Sequence, residues 1–455
     1  MSSAEGELLE HCREGVRRAL DKGADQAEVF AVRSAEVRVQ VEADDLSIAR
    51  SDDDEGFGIR VRRRGVTGFA STNDGGRASL DEATDAALAL ARVSPADPRD
   101  DLPEADGPPP RPVDDLWDPA IAETEVDAVA RRVGELAERV HEVDARVRLD
   151  SGWIGLETAW TALASSTGVE VSERTTGAQA LLMGMAVEGE RVGSFDHEVV
   201  DVCSLAALEG ELRGLPERFA ERVLSCLAAR PGESFQGTLV LAPEAVAGFL
   251  LPPLASALSG QAVRTGRSRL AKRLGERIAG AGFGLCDDAR LPGRAASGAF
   301  DREGTPARPL RLIDGGELRA FLYNTREARA AGRPRSTGHA RGGARSAPGI
   351  GPSNLVVDAG DLAPADLFEG IDRGILLRRF SGNTDPVSGD FSGVAKSSFL
   401  LRREDSPQPV QETLVSGNVF ELLSALSGVG RERSWIDGCV QAPLLRFEGV
   451  SVTAG

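Results

Sequence analysis

The stretch LVLAPEAVAGFLLPPLASALSG, residues Leu239–Gly260, joins a short apolar run to a longer helical pattern. The run Leu239–Leu241 predicts a buried strand. Ala242-Pro243-Glu244 predicts the start of a helix, because proline is tolerated at the first helical position and an acidic side chain suits the first turn. A strand followed by a helix is a place where a metal-dependent hydrolase can hold its ligands, yet this stretch contains no His and no Cys.

Length and composition predict a soluble, acidic protein. The chain has 455 residues, of which 41% are hydrophobic, so two domains are the first expectation. Its 53 Lys and Arg against 71 Asp and Glu give a formal net charge of −18, which disfavours nucleic acid as a direct partner. No segment approaches the roughly 18 apolar residues of a membrane-spanning helix, so a membrane is not an expected partner either.

The five cysteines are spread along the chain as Cys12, Cys203, Cys226, Cys286 and Cys439, without a CxxC pair. This spacing indicates neither a disulfide framework nor a zinc knuckle. The N-terminus, MSSAEGELLEHCREGVRRAL, is amphipathic and lacks the apolar core of a signal peptide. A reducing cytoplasm is therefore the expected compartment.

Outward from the opening stretch, the hydrophobic pattern predicts helices separated from runs of antiparallel strands. Helices are expected over 5–22, 80–92 with Ser79 as its cap, 121–141 and 202–229. Strands are expected over 37–41, 58–62, 66–71, 147–151, 153–165, 169–174, 178–188, 309–313, 318–323, 354–357, 375–379, 397–402 and 443–453. This segregation predicts an α+β fold rather than a doubly wound sheet.

A boundary near residue 230, within the sequence ARPGE, divides the chain into two predicted α+β domains. The first, 1–230, has antiparallel strands packed against helices and includes a Pro-rich tract at 94–115. Seven prolines between Pro95 and Pro112 predict an extended surface connection there, without regular structure. The second domain, 231–455, is expected to contain a large antiparallel sheet packed against helices.

The sequence lacks the common catalytic patterns. The four histidines, His11, His141, His197 and His339, include no pair one helical turn apart, so no zinc-binding helix is predicted. No GxSxG or SxxK pattern marks a nucleophile, and the Gly-rich runs 338–351 and 382–393 lack the GxxxxGK[ST] arrangement that holds phosphate. Arg-rich clusters at 264–277 and 326–345 are either solvated faces or docking surfaces for an acidic partner or a carboxylate.

A long series of ordered motifs resembles the TldD/TldE (PmbA) family, also called modulators of DNA gyrase. In the first half the motifs are Gly56-Phe57-Gly58-Ile59-Arg60-Val61 and Gly68-Phe69-Ala70-Ser71-Thr72. In the second half they are Asp287–Arg294, Phe300–Gly304, Gly316–Leu318, Phe321–Asn324, Ser336–Arg341, Pro352–Leu355, Asp385–Gly393, Ser416–Asn418 and the ending Gly449–Gly455. The likeness covers nearly the whole chain.

The resemblance implies a cytosolic two-domain α+β subunit of a heterodimeric metallopeptidase. In that family the TldD-like subunit carries an HExxxH metal-binding helix and a later Cys ligand, and the TldE/PmbA-like subunit lacks them. The helix corresponds to Glu244–Gly260 here, and near the ligand positions this chain has Leu251, Pro252 and Ser256. Leu and Pro cannot bind zinc, and the tandem proline at 252–253 is expected to break such a helix. Cys439 is expected to be structural.

By this resemblance the chain is the metal-free subunit, with no catalytic residue and no cofactor of its own, and zinc is held by a TldD-like partner. The pair would cleave unfolded or modified peptides, in proteolysis or peptide maturation, with the peptide bound as an added strand along a wall of the complex. The candidate substrate-binding residues of that wall are Asn383, Asp385, Ser388, Gly389, Asp390, Phe391, Ser392 and Gly393, with Arg341 and Arg345 as carboxylate partners.

Two other functions remain open at this point. The chain could be a hydrolase with a non-metal mechanism that acts as a homodimer, or a stand-alone scaffold that binds peptides without a hydrolase partner. The sequence does not identify the peptide, and it does not show whether a homodimer forms when the partner is missing.

Overall fold

The computed structural model describes residues 3–43, 45–105, 108–403 and 406–454. Asp106 and Gly107 of the predicted Pro-rich tract and Gly455 of the family-like ending lie outside the described residues. The elements of the first half are α1 (Ser3–Asp21), β1 (Gln26–Glu42), β2 (Asp45–Arg63), β3 (Val66–Thr72), α2 (Arg77–Val93), α3 (Pro119–Ala122), α4 (Val126–Val143), β4 (Val147–Ser165), β5 (Glu170–Glu188), β6 (Arg191–Val192), β7 (Asp196–Val202), α5 (Leu205–Leu212) and α6 (Leu215–Ser225).

The strands of the first half form one antiparallel sheet in the order β3-β2-β1-β4-β5-β6, with β7 paired to β5. Because side chains alternate between the two faces of a strand, each long strand presents one face to the helices and the other away from them. Phe57 and Ile154 lie on the face that the helices cover. Phe30 and Leu163 lie on the opposite face and pack against Phe300 of the second half.

The second half contains a larger sheet and shorter helices. Its elements are β8 (Arg230–Pro231), β9 (Phe235–Leu241), α7 (Pro243–Ala245), a π turn (Val246–Leu250), α8 (Leu251–Ala257), α9 (Gly260–Arg264), β10 (Leu285–Asp287), β11 (Leu310–Asp314), β12 (Glu317–Leu318), α10 (Thr325–Ala330), β13 (Ala340–Arg341), β14 (Gly349–Ile350), β15 (Leu355–Val357), α11 (Pro364–Phe368), β16 (Arg373–Leu377), β17 (Arg379–Thr384), β18 (Asp390–Lys396), β19 (Ser398–Arg402), β20 (Gln408–Gln411), β21 (Thr413–Asn418), α12 (Val419–Ser424), β22 (Leu426–Ile436) and β23 (Val440–Ala454).

Strand β23 is the centre of a 14-stranded sheet and pairs with β9, β15, β21 and β22. Most pairs in this sheet are antiparallel, and the pairs β9–β16, β15–β23 and β8–β20 are parallel. The predicted α+β class is therefore confirmed. The division into domains at residue 230 stays a prediction. Residue 230 itself lies in β8, which pairs with β20 of the second half.

The helical segment after β9 continues through its tandem proline, so the prediction that this proline breaks the helix is wrong. The backbone N–H of Leu251 donates to the carbonyl of Val246, five residues earlier, which is the pattern of a π turn. Pro252 and Pro253 then occupy the first turn of α8, where missing N–H groups cost little. The segment 243–257 therefore remains helical overall.

Several predicted boundaries also need correction. Helix α2 begins at Arg77, and the Ser79 hydroxyl donates to Asp74 (2.6 Å) instead of capping the helix. The strand predicted over 318–323 ends at Leu318, and the pattern at 375–379 falls on two different strands, β16 and β17. No helix in the described part of the chain has the length and apolar character that a membrane crossing requires.

The Pro-rich tract is bound to both halves, which differs from the surface connection that its composition predicted. It contains a 3₁₀ turn at Pro98–Asp100, and Leu102 is buried. Arg62 of β2 pairs with Asp101 (2.6 Å), and Arg326 of α10 pairs with Asp97 (3.0 Å). These charged side chains on both halves account for its fixed position.

Candidate functional site

The helical segment 243–257 contains Leu251, Pro252 and Ser256, the three positions at which the sequence resemblance places metal ligands in other members. Leu251 is 1% exposed and belongs to the main core of the second half. Pro252 and Ser256 are exposed. Structural and catalytic zinc ions take imidazole, thiolate or carboxylate ligands, so these three side chains do not fit the ion.

Cys439 immediately precedes β23 and lines a cavity between the halves. Burial raises the pKa of the Cys439 thiol, which disfavours the thiolate form that binds metal. The described residues include no group of three His, Cys, Asp or Glu side chains placed to hold a metal ion.

The predicted peptide wall, 383–393, forms a β-hairpin in which β17 pairs with β18 and Asn383 lies opposite Ser392. Asp385 makes the turn, because its Oδ1 accepts from the backbone N–H groups of Val387 (2.8 Å) and Ser388 (2.7 Å). These backbone donors hold the pKa of Asp385 below its usual value. Gly389 has a φ of 80°, and a Cβ there would lie 2.5 Å from the ring of Phe420.

Asp390 and Ser388 connect the hairpin to its neighbours. The amide Nδ2 of Asn418 donates to the Asp390 carboxylate (2.7 Å) and to the Ser388 carbonyl (2.8 Å). Arg269 donates to the same carbonyl (2.6 Å). The hydrogen bond from Asn418 lowers the pKa of Asp390. Four of the predicted wall residues, Asp385, Ser388, Gly389 and Asp390, thus shape the turn and its attachment.

Aromatic packing fixes the hairpin on the helical segment. The ring of Phe249, in the π turn, lies 4.7 Å from Phe391 and 4.8 Å from Phe380 between centroids. Gly393 faces Gly382 across the ladder so closely that a Cβ on Gly382 would lie 2.3 Å from the Gly393 Cα. Phe391 and Gly393 are therefore packing residues of the hairpin.

Strand β17 exposes one edge of the sheet. Among the described strands it pairs with β18 alone. In an antiparallel ladder, residues alternate between those that bond the partner and those whose backbone groups face away. The N–H of Asp385 bonds Asp390 across the ladder, so by this alternation the N–H groups of Phe380, Gly382 and Thr384 face the free edge.

An ion pair between the two halves fixes Arg379, the first residue of β17. Arg379 pairs with the buried Asp196 of β7 (2.9 Å), whose other oxygen accepts from the Ser397 hydroxyl. Beside them, Arg222 of α6 pairs with Glu198 (2.6 Å) and with Glu244 of α7 (2.8 Å). No sequence motif indicated this network, because its members come from separated segments.

The structure places Arg341 and Arg345 away from the hairpin. Arg341 donates to the carbonyls of Pro352 and Ala340 (3.1 Å each), and Arg345 forms an exposed pair with Asp54 of β2 (2.9 Å between Nη1 and Oδ2). Arg341 lines a cavity between the halves to which the described hairpin residues contribute nothing. The predicted set of ten residues therefore falls into two separate places.

Two adjoining cavities between the halves were not anticipated from the sequence. The first, the acidic cavity, has a volume of about 330 Å³, and its wall includes Glu157, Gln179, Asp201, Cys203, Arg294, Asp437 and Cys439. The second, the arginine cavity, has a volume of about 480 Å³, and its wall includes Phe30, Thr161, Glu173, Asp301, Arg302 and Arg341. Both walls include the loop 295–297, so the two cavities adjoin at this loop, and together they are called the groove.

The fold is an α+β arrangement with two large sheets, and Leu251, Pro252 and Ser256 of the helical segment 243–257 are not metal-binding side chains. The PmbA/TldA metallopeptidase C-terminal domain matches residues 234–454, and PmbA/TldA metallopeptidase domain 1 matches residues 27–91. The chain therefore belongs to the TldD/TldE/PmbA family.

Individual relatives agree with this assignment. A metalloprotease of Methanothermobacter thermautotrophicus is 30% identical over 274 residues, which cover 60% of each chain. A metalloprotease TldD homolog of Buchnera aphidicola is 27% identical over 183 residues, 40% of this chain and 38% of that relative. The crystal structure of TldE from Thermococcus kodakarensis covers 98% of this chain and 100% of its own, with a TM-score of 0.88 and 24% identity. At that identity the likeness to TldE establishes the fold.

Proposed function

We propose that this chain is the TldE/PmbA-like, metal-free subunit of a cytoplasmic TldD/TldE-type heterodimeric metallopeptidase that cleaves unfolded or modified peptides. The observation that carries the proposal is the segment 243–257, where Leu251 is buried in the core and Pro252 and Ser256 face outward. A family member with this segment needs another chain to supply zinc. In this proposal a TldD-like partner holds the ion, and no catalytic step passes through a metal on this chain.

The free edge of β17 supports a role in holding the peptide. An extended peptide can add a strand to such an edge through main-chain hydrogen bonds, with little dependence on its sequence. Asn383 and Ser392 are exposed on the same hairpin and are the wall residues still available for contact. The other members of the predicted wall keep the hairpin in place by the turn, ring and glycine contacts described above.

Purification of the chain alone and together with a TldD-like subunit tests the proposal. We expect the pair to co-purify, zinc to remain with the partner, and an unstructured peptide to be cleaved only by the pair. Metal analysis and a cleavage assay with a chelator control measure these outcomes. Stoichiometric zinc or chelator-sensitive cleavage in the lone chain would contradict the proposal, and failure to bind any TldD-like subunit would favour a stand-alone scaffold.

A further inference from the structure

The groove between the halves carries unpaired charges of both signs. In the acidic cavity, the side chains of Glu157 and Asp437 form no ion pair or hydrogen bond with the described residues. Asp201 accepts one hydrogen bond, from Gln179 to its Oδ2 (3.0 Å), and its buried Oδ1 has no partner in the described part of the protein. Unpaired carboxylates at a partly enclosed wall are costly unless a cation is bound there.

The electrostatics of Asp201 show that these carboxylates face one another. The pKa of Asp201 is raised to about 6, first by burial and then by the nearby carboxylates of Asp437 and Glu157. The guanidinium of Arg294 lies 3.9 Å from the ring of Trp435 and forms no ion pair with the described residues. The acidic cavity therefore keeps an excess of negative charge that Arg294 does not neutralise.

The arginine cavity contains the complementary groups. The side chain of Arg302 is 1% exposed and donates through Nη1 to Glu28 (3.1 Å). Its buried Nε and Nη2 have no acceptor among the residues that the structure describes. Arg341, on the same wall, donates hydrogen bonds to backbone carbonyls in the described ranges, and its charge acts on the nearby carboxylate of Asp301. Guanidinium groups are suited to bidentate binding of a carboxylate.

We propose that this groove binds the ends of a short peptide, with its α-ammonium group among Glu157, Asp201 and Asp437 and its α-carboxylate at Arg302 and Arg341. The inference rests on the proposed peptide-binding function, but it concerns a site separate from the β17 edge. Main-chain pairing at an edge does not distinguish the ends of a peptide, whereas this groove does. The ligand class is a zwitterionic peptide of a few residues, such as a short cleavage product.

Calorimetric titration of the full chain at pH 7 with tetraalanine tests the assignment. N-acetyl-tetraalanine removes the cation, and tetraalanine amide removes the anion. We expect acetylation to weaken binding at least about tenfold, because the cavity then faces an uncharged amide, and amidation to weaken it as well. Unchanged affinity on amidation would overturn the carboxylate half of the proposal.

Two variants connect the effect to the acidic cavity. Asp201→Asn is nearly isosteric and can keep the hydrogen bond from Gln179. Asp437 has a φ of 48°, a conformation that Asn also tolerates, so Asp437→Asn is a second variant expected to fold. In each we expect tetraalanine to bind about tenfold more weakly and acetylation to have little further effect. Asp314→Asn, at an exposed carboxylate outside the groove, serves as the matched control.

Failure of this inference is distinguishable from failure of the proposed function. Equal affinity for free and acetylated tetraalanine, or no binding of either, would overturn the groove assignment. The proposed function would survive if a longer, end-blocked unstructured peptide still bound and was cleaved in the presence of the TldD-like subunit. The converse result is Asp201-dependent binding of tetraalanine by a chain that gives no cleavage with the TldD-like subunit. That result would support the groove assignment and contradict the proposed heterodimer function.

Discussion

The carboxylate of Glu28 balances the positive charges of two buried arginines, Arg60 and Arg302, which belong to different halves of the molecule. Its side chain is completely buried and accepts from Arg60 (2.6 Å) and from Arg302 (3.1 Å). Arg60 also pairs with Glu303 (3.0 Å), and Arg302 lies over the ring of Phe30 at 3.8 Å. The cluster therefore couples the first sheet to a loop of the second half through charges that are out of contact with water.

Replacing Glu28 by Gln should destabilise the protein strongly. Gln keeps the shape but leaves the two guanidinium groups without their shared negative charge, and breaking a buried pair of this kind costs about 3–5 kcal/mol. Urea unfolding followed by circular dichroism measures the change in unfolding free energy. The control, Asp54→Asn, breaks the exposed Asp54–Arg345 pair between the same halves, and we expect no measurable change there. Equal changes in unfolding free energy for the two substitutions would show that the buried Glu28 cluster contributes no more to stability than an exposed ion pair.

At the scale of elements, the hairpin β17–β18 gives a structural role to several residues of the family-like motif 385–393. The Asp at its start makes the turn, the Gly before the second strand permits a positive φ, and Phe391 packs against the helical segment. Only a position with a backbone group at the free edge can report on strand addition without disturbing these contacts. Thr384 is such a position, since its N–H faces away from β18.

Thr384→Pro should weaken binding of an end-blocked, unstructured peptide. Proline removes one N–H at the free edge, and edge positions are where a strand tolerates it. We expect about a tenfold loss of affinity, with little change in thermal stability. Thr384→Val keeps the N–H and the side-chain shape, and so it should bind like the parent. Fluorescence anisotropy of a labelled peptide makes the measurement, and equal binding by the Pro and Val variants would exclude the β17 edge as the peptide site.

The hairpin and the groove also show how far the sequence could predict the structure. Periodicity located β4, most of β5 and the strand before the helical segment, because those signals are local, but it found only short parts of β1 and β2. The family-like motif identified the segment 385–393 but did not predict that it forms a hairpin in which Asp385 and Gly389 shape the turn. The wall of the acidic cavity combines residues as distant as Glu157 and Asp437, and no local pattern connects such positions.

The helix break predicted from the tandem proline was wrong because the rule considers only local hydrogen bonding. The rule that proline breaks a helix assumes i→i−4 bonding throughout the segment. Here the preceding turn bonds i→i−5, and Pro252 begins a new α-helical turn. The hydrophobic positions Leu250, Leu251 and Leu254 are all buried, so packing outweighs the local preference.

At the scale of the whole molecule, the two halves meet through a mixture of satisfied and unsatisfied charges. The Pro-rich tract and Glu28 form ion pairs with both halves, whereas the side chains of Glu157, Asp201 and Asp437 in the acidic cavity form none with the described residues. Asp201 belongs to the groove and is faced by titratable groups from every element around it, namely Glu157, Asp437, Cys203, Cys439 and Arg294. This arrangement makes the junction sensitive to pH.

Asp201 should reduce stability as the pH rises from about 4 to 6. Its pKa is raised to about 6 by burial in the folded protein, against about 3.9 for an unfolded Asp, so the native state holds the extra proton in this range. The loss of stability accumulates over this interval, reaches on the order of 1–3 kcal/mol near pH 6 and stays constant above it. Asp201→Asn lacks this cost, and its advantage in unfolding free energy over the parent should grow from near zero at pH 4 to its full value at pH 7.

Asp144 provides a control of opposite sign for the same urea-unfolding series. Hydrogen bonds from Arg146 lower the pKa of Asp144 to about 2, so its stabilising contribution is present above pH 4 and is lost as the pH falls toward 2. Asp144→Asn should therefore be less stable than the parent at pH 7, with the difference unchanged between pH 4 and 7. If the Asp201→Asn difference were equally flat over that interval, the unpaired carboxylate would not be buried in the native junction, and the acidic cavity would be open to water in solution.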